Sequence, residues 1–380
     1  MKIREISDVL NGYAFKSSNY ISDGYRVIRI TNVQSGYIED EKPVYYEYDN
    51  KLEKYELQEN DLLISLTGNV GRCALVTKEF LPAYLNQRVC YLRVNKEKVM
   101  PKFLYYILNS KKFEFDCINS SQGIAQLNMS TEWLKEYNIE IPTIELQKKV
   151  INVFDKVYSN IDIKKKQISS CNNLIKSQFV ELFGDINDTE FNVSKLNNLA
   201  NLITDGEHKK PNYTISGKPF ISVVNITTGE LKFDDCKYVS EDDNSKFRKR
   251  CNPELNDILY TKVGATYGRS AIVDTNIDFS LYVSVCLIKP KKEIINPLFL
   301  MHSLRQPYVK IQADKCIKGI GVPDLHLIEI KNFNIIVPPI EMQNKFAQIV
   351  EQIDKQKFEF ENSLKKLEEL QASLMQEYFG

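Results

Sequence analysis

The sequence predicts an α+β protein written twice. Each of two tandem repeats is a mixed α/β part followed by a long helix, and the two helices pair as an antiparallel coiled coil. Three observations predict this. The 380-residue chain repeats itself with a step of 196 residues, the distance from Pro142 to Pro338. The stretch after Pro142 contains no further proline and no glycine until Gly184. Upstream of it, short β-type runs alternate with glycine and asparagine turns.

The bulk numbers exclude several classes. Lys plus Arg and Asp plus Glu both number 50, so the formal net charge is zero. A protein that coats nucleic acid by itself is not of this kind, although a local basic face or charge brought by a partner stays open. Met1–Glu5 is no signal peptide, and no apolar run reaches the length of a membrane span. The eight cysteines are scattered without a C-x-x-C, which reads as free, mostly buried thiols in a cytoplasmic chain. Only three histidines occur, His208, His302 and His326, with no H-E-x-x-H. No metal site is expected, and no membrane.

Taken in order, the repeat opens with matching stretches at Asn19-Tyr20 and Asn212-Tyr213, in which Asn32 meets Asn225 and Gly36 meets Gly229. DLLISLTGNVGRCALV from Asp61 then matches DILYTKVGATYGRSAIV from Asp257. Cys90 falls on Cys286, Pro101 on Pro297, Phe103 on Phe299 and Gly123 on Gly319. The β-type runs are Val27–Val33, Leu62–Leu66, Val89–Val94, Phe220–Val224, Ile258–Thr261 and Tyr282–Ile288. A helix follows Pro101 and Pro297, since proline suits a first helical turn. The expected boundaries are 1–142, 143–184, 185–338 and 339–380.

The long helices come next. Val150, Phe154, Val157, Ile161, Ile168, Ile175 and Leu182 recur at steps of four and three or of seven, the seam of a helix that pairs with another. Glu145 suits the positive helix start and Gly184 the position past the last turn. At 1.5 Å per residue the helix runs roughly 60 Å. The second seam is Phe346, Val350, Ile353, Phe360, Leu364, Leu367 and Leu374. Its polar breaks, Lys357 and Gln371, align with Ile161 and Ile175, and those of the first, Lys164 and Gln178, with Phe360 and Leu374. Seams that differ in this way favour pairing with each other.

This layout resembles the specificity subunit of type I restriction–modification systems. The likeness rests on the P-x-x-E-x-Q start of each helix (Pro142, Glu145, Gln147; Pro338, Glu341, Gln343) and its S-x-x-x-E-x-F-G end (Ser177, Glu181, Phe183, Gly184; Ser373, Glu377, Phe379, Gly380). The glycine-turn stretch after Asp61 and Asp257 adds to it. The resemblance implies two target-recognition domains, each reading half of a split double-stranded DNA target. It implies helices that set the spacing and dock two methyltransferase subunits, with restriction subunits joining later. S-adenosylmethionine would be held by the methyltransferase, and this chain would bind no cofactor and catalyse nothing.

The residues agree that catalytic machinery is missing. Asn252-Pro253-Glu254 and Asn296-Pro297-Leu298 do not make the N/D-P-P-Y/F loop of an amino-methyltransferase, and neither glycine turn ends in G-K-[ST]. Pro323-Asp324 with Glu329 and Lys331 mimics a nuclease cluster, but Asn128, Trp133 and Lys135 occupy those places in the first repeat. A loop leading to a last strand is the plainer reading there, and Trp133 reads as core.

Candidate DNA-binding residues lie on the turns. Thr67, Asn69 and Arg72 belong to the first glycine turn, and Lys262, Thr266, Tyr267 and Arg269 to the second. Small residues let a backbone approach a phosphate, and an adjacent Arg can take a phosphate or guanine O6/N7. A structural turn with a surface Arg–carboxylate pair explains the same residues. Asn86, Gln87 and Arg88 carry the side chains that pair with base edges, or simply begin a strand; their counterparts are Tyr282, Val283 and Ser284. Gln122 and Lys318 sit in a third turn pair, and His208, Lys209 and Lys210 form a basic turn special to the second repeat. The densest basic run, Lys246–Arg250, has the weaker counterpart Lys51–Tyr55. A competing reading of the whole chain is a coiled-coil interaction scaffold without DNA specificity.

Overall fold

The computed structural model describes residues 1–121, 127–184, 186, 189–317 and 321–380. The chain divides into two compact units, Met1–Lys166 with Glu361–Gly380, and Gln167–Phe360. The first unit holds β1 (Ser7–Asn11), β2 (Tyr25–Ile28), β3 (Tyr45–Tyr46), β4 (Leu62–Ser65), β5 (Cys73–Leu75), β6 (Ala83–Leu85) and β7 (Val89–Val94). Helices α1 (Pro101–Leu108), α2 (Lys111–Ser120) and α3 (Thr131–Glu136) follow, and then α4 (Ile144–Phe183), whose residues from Gln167 belong to the second unit. The second holds β8 (Asn192–Lys195), β9 (Ala200–Asp205), β10 (Lys218–Ile221), β11 (Lys237–Val239), α5 (Glu241–Arg248), β12 (Ile258–Thr261), β13 (Ser270–Ile272), β14 (Ser280–Leu281) and β15 (Val285–Pro290). It continues with α6 (Pro297–Leu304), α7 (Pro307–Cys316), α8 (Leu327–Lys331), β16 (Asn334–Val337) and α9 (Ile340–Phe379), whose residues from Glu361 belong to the first unit.

The repeat is a repeat of topology. A four-stranded antiparallel sheet has the order β1-β7-β4-β5 in the first unit and β9-β15-β12-β13 in the second. A three-stranded sheet has the order β3-β2-β6 and β11-β10-β14, with β2–β6 and β10–β14 parallel. α1, α2 and α4 begin 196 residues before α6, α7 and α9, as Pro101 and Pro297 illustrate. The two long helices begin at Ile144 and Ile340, one residue inside their expected starts. Gly184 takes φ +66° just past α4, and its N–H bonds to Val180 O, which closes the helix.

Each unit is layered helix, sheet, sheet. Strand alternation sends Leu62 and Ile64 of β4 into a core with Phe103, Leu104, Ile107, Val150 and Phe154, whereas Leu63 faces Ile28 and Leu85 of the smaller sheet. In the second unit Ile258 and Tyr260 face Phe299, Leu300 and Phe346, and Leu259 faces Ile221 and Leu281. A strand buried on both faces accounts for the unbroken apolar runs LLI and ILY.

Within each unit the start of one long helix lies against the end of the other. In the first, Phe154 stacks on Phe379 at 5.5 Å and Lys165 pairs with Glu368 at 3.7 Å, so numbers rise on one helix as they fall on the other. In the second, Phe346 meets Phe179 at 5.4 Å and Phe183 at 5.6 Å. The predicted seam holds at Val150, Phe154, Val157, Ile161 and Ile175, but Ile168 and Leu182 are half-buried, and Cys171, Phe179 and Phe183 are buried instead. The cause is period. Toward its end α4 packs into a globular core of the second unit, where a straight helix buries every fourth residue rather than following a heptad.

Two expected strands are shorter than their β-type runs. The chain leaves β2 after Ile28 and β10 after Ile221 for a 3-10 turn. Buried Asn32 is responsible in the first unit: its Oδ1 accepts from Arg29 N at 2.8 Å and its Nδ2 donates to Glu39 O. Asn225 accepts from Ser222 N at 3.0 Å in the second. An Asn side chain that bonds its own backbone offers an alternative to the sheet ladder.

The P-x-x-E-x-Q start also has a physical role. Gln147 is fully buried, accepts from Met100 N at 2.8 Å, and donates to Pro142 O at 2.9 Å and Lys98 O at 3.3 Å. Gln343 repeats this with Asn296 N, Pro338 O and Ile294 O at 2.8, 2.8 and 3.3 Å. One glutamine thus ties each long helix to the chain just before α1 or α6.

Candidate nucleic-acid interface

The glycine turns are closed by the hydroxyl residue at the end of the preceding strand. Ser65 Oγ donates to Asn69 O and accepts from Arg72 N, and Gly71 N bonds Ser65 O. Thr261 Oγ1 does the same with Thr266 O and Arg269 N, and Gly268 N bonds Thr261 O. Gly71 and Gly268 take φ of +80° and +87°, a region that disfavours side chains. The aspartate that opens each motif is structural. Asp61 accepts two bonds from Arg93, at 2.9 and 2.7 Å, and Asp257 accepts from Lys289 at 2.6 Å. Hydrogen bonding to Asp61 raises the Arg93 pKa, and burial raises that of Asp257 against the pull of Lys289.

Sheet register then brings the first-unit candidates together. Ser65 pairs with Val89, so the next bond is Leu66 N to Arg88 O at 3.1 Å. Ser65 N bonds Arg72 O, and Gly12 N bonds Val89 O. Thr67, Asn69, Arg72, Asn86, Gln87 and Arg88 therefore share one end of the four-stranded sheet. Asn69, Gln87 and Arg88 are exposed, while Thr67, Arg72 and Asn86 are half-buried. Arg72 is not free, because its Nη1 donates to Gln34 Oε1. Gly12, which the sequence reading passed over, lets the chain after β1 press on the Leu85–Asn86 backbone, where a Cβ would stand 2.3 Å from carbonyl oxygens. Gly206 does the same against Leu281, so an equivalent glycine in both repeats was the available signal.

The same sheet end in the second unit carries different chemistry. Asp205, the last residue of β9, has a side chain only 4% exposed. Its Oδ1 lies 2.7 Å from Arg250 Nη2 and 3.1 Å from His208 Nε2, and its Oδ2 lies 3.4 Å from Lys262 Nζ. Lys262 is buried and also lies 3.9 Å from Asp324. Tyr267 donates to Asp314 and accepts from Lys310, which holds it to α7. Exposed Arg269, Lys209 and Lys210 have side chains without a hydrogen bond or ion pair among the described residues, and Thr266 is half-buried. Gln122 and Lys318, with Gly123 and Gly319, lie outside the described residues. No local signal pointed to Asp205, since Arg250 reaches it across 45 residues.

The other motifs resolve as structure. Asn296 caps α6 by accepting from Leu298 N and Phe299 N. Asp324 bridges to Val263, Glu329 and Lys331 fall in α8, and the last strand starts at Asn334. Among the described residues no group of three or more His, Cys, Asp and Glu side chains could hold a metal ion. Trp133 is half-buried at the core edge, its ring 5.1 Å from Tyr137. No disulfide joins the eight cysteines among the described residues, and seven of them are buried; burial pushes the Cys90 and Cys251 thiols up to about 12. Among the described residues no helix is long and apolar enough to cross a membrane.

Two copies of one α+β architecture, each latched to a long helix and each ending its larger sheet in polar side chains, define a duplicated recognition protein. Residues 1–173 and 188–372 match the family described as type I restriction modification DNA specificity domain, and the chain belongs to that family. It is 25% identical to the type I restriction enzyme EcoBI specificity subunit of Escherichia coli, over 98% of this chain and 84% of that one. Among solved structures, the type I restriction-modification system S subunit from M. genitalium superimposes with a TM-score of 0.59 at 16% identity, covering 99% of this chain and 94% of that one. A chain from work on complex assembly and conformational transition of the type I R-M system gives 0.60 at 16% identity, covering 100% and 96%.

Proposed function

We propose that this chain selects the DNA sequence on which a partner methyltransferase acts, and that it catalyses nothing itself. Its target-recognition domains, 1–142 and 185–338, each read one half of a bipartite, asymmetric site in double-stranded DNA. Its spacer helices, 143–184 and 339–380, pair as an antiparallel coiled coil, set the unread spacer and dock two methyltransferase subunits. Those subunits carry S-adenosylmethionine, restriction subunits join the same assembly, and all of it works in the cytoplasm. The reading sites are the two equivalent sheet ends.

The observation that carries this reading is that equivalence. One scaffold presents Asn86, Gln87 and Arg88 in the first unit, but Tyr282, Val283 and Ser284 at the same place in the second. Identical frames with different polar contents suit two different half-sites, because base edges are told apart by donor and acceptor pattern. The test is the methylome of cells carrying this chain and its methyltransferase subunit. The expected result is a split motif with unlike halves, and methylation confined to one continuous motif rejects the reading.

A further inference from the structure

We infer that Arg250, held by the buried carboxylate of Asp205, is a specificity-determining residue of the second unit and reads the acceptor edge of a guanine in the major groove. The inference rests on the DNA-reading role proposed above. Sequence alone places Arg250 in a basic run of the kind that is usually a solvated face. The fold takes it out of that run. Its Nη2 donates to Asp205 Oδ1 at 2.7 Å, and its side chain is still 54% exposed. Nη2 also lies 3.1 Å from His208 Nε2. Nε and Nη1 carry no hydrogen bond among the described residues. One donor of the fork is therefore held, and Nε and Nη1 stay uncommitted on a side chain that is half-exposed.

A flexible surface lysine suffices for a phosphate, which asks only for a point charge. Exposed Lys209 and Lys210 beside this site meet that need. Anchoring an arginine on a desolvated carboxylate does something else. It removes rotamer freedom before binding and sets the direction of the donors, which recognition of paired acceptors such as guanine O6 and N7 requires.

The matching position in the first unit strengthens the case. Asp205 pairs with Cys286 as Asn11 pairs with Cys90, Lys262 matches Leu66, and Arg250 matches Tyr55. There the Tyr55 ring lies against Tyr13 at 5.2 Å, and no ion pair takes its place among the described residues. An aromatic pair in one repeat and an ionic cluster in the other have replaced each other as sets, on one scaffold and at one sheet end. That is the divergence expected of residues that choose bases rather than residues that build the fold.

The experiment is methylome sequencing with the complete methyltransferase complex carrying Arg250→Gln or Arg250→Lys. Arg250 is half-exposed, and a melting curve of each complex verifies that it folds. Both variants are expected to relax one base-pair position of the second half-site, lowering discrimination there about 5- to 150-fold. The first half-site should be unchanged. Lysine keeps the charge and loses the fork, so a phosphate role predicts that Arg250→Lys restores methylation of an unaltered motif. That result, or a uniform loss over all sequences, overturns the inference. A bipartite wild-type motif left intact by both variants overturns it alone, whereas a continuous wild-type motif overturns the proposed function and this inference with it.

Discussion

At the residue scale, burial and charge decide what each polar group can do. His302 is a case inside the second unit. It lies in α6 with its ring 5.4 Å from that of Phe346, and burial, with Arg305 nearby, lowers its pKa from 6.5 to about 3. The unfolded chain takes up this proton as pH falls through about 6.5, while the folded chain does not until about 3. The folded state therefore binds fewer protons between those values, and stability falls as pH drops through that window. The slope attributable to this group is up to about 1.4 kcal/mol per pH unit. Denaturant unfolding at pH 7 and pH 4.5 should show a larger loss for wild type than for His302→Gln; equal losses would assign the effect to other groups. The sequence offered no hint of this, because whether a histidine is desolvated depends on contacts made between distant elements. The same limit hid Asp205. That Gln87, Arg88, Lys209 and Lys210 stand exposed was legible, because turn chemistry is local.

At the element scale, the glycine turns were legible as turns, but not why each needs its glycine. Gly71 takes φ +80°, and a Cβ there would stand 2.8 Å from Cys117 Cβ and Sγ on α2. Gly264 takes φ +87° with nothing within 4 Å. Both positions resist alanine through backbone strain of about 1–3 kcal/mol, and only the first adds a clash. Thermal melts should thus show Gly71→Ala lowering Tm clearly more than Gly264→Ala. The reverse order would mean that the approach of α2 is not what demands glycine at 71. Strand lengths were less legible than strand existence. Val27–Val33 looks like one β-type run, yet a single buried asparagine diverts it at Ile30–Asn32. Propensity describes the run, and one side-chain-to-backbone bond overrides it. The long helix shows a third case. Both ends of it lie in globular cores, Val150 and Phe154 in that of the first unit and Phe179 and Phe183 in that of the second, and there Phe179 and Phe183 are buried while Leu182 is half-buried.

At the scale of the whole molecule, duplication was the most legible feature. A repeat step is a property of the chain itself and needs no tertiary contact to be seen. The duplication reappears in the structure as a sheet order that recurs element by element. The proposed function adds a prediction here. Removing seven residues from each long helix in step shortens both by about 10 Å. Methylome sequencing of that variant complex should show an altered unread spacer between two unaltered half-sites. Altered half-site sequences would reject the role of the helices as a ruler.

Gln147 and Gln343 carry a consequence for how such a chain can change over generations. Every partner of these two amides is a peptide group, those of Lys98, Met100 and Pro142 and those of Ile294, Asn296 and Pro338. A seat that recognises backbone alone is blind to side chains. Wholesale replacement of the residues a globular part displays leaves its mount intact, provided the chain still returns to the same three points. The mount is thus a standard fitting, and inheritance can exchange what is mounted on it without altering the helix underneath.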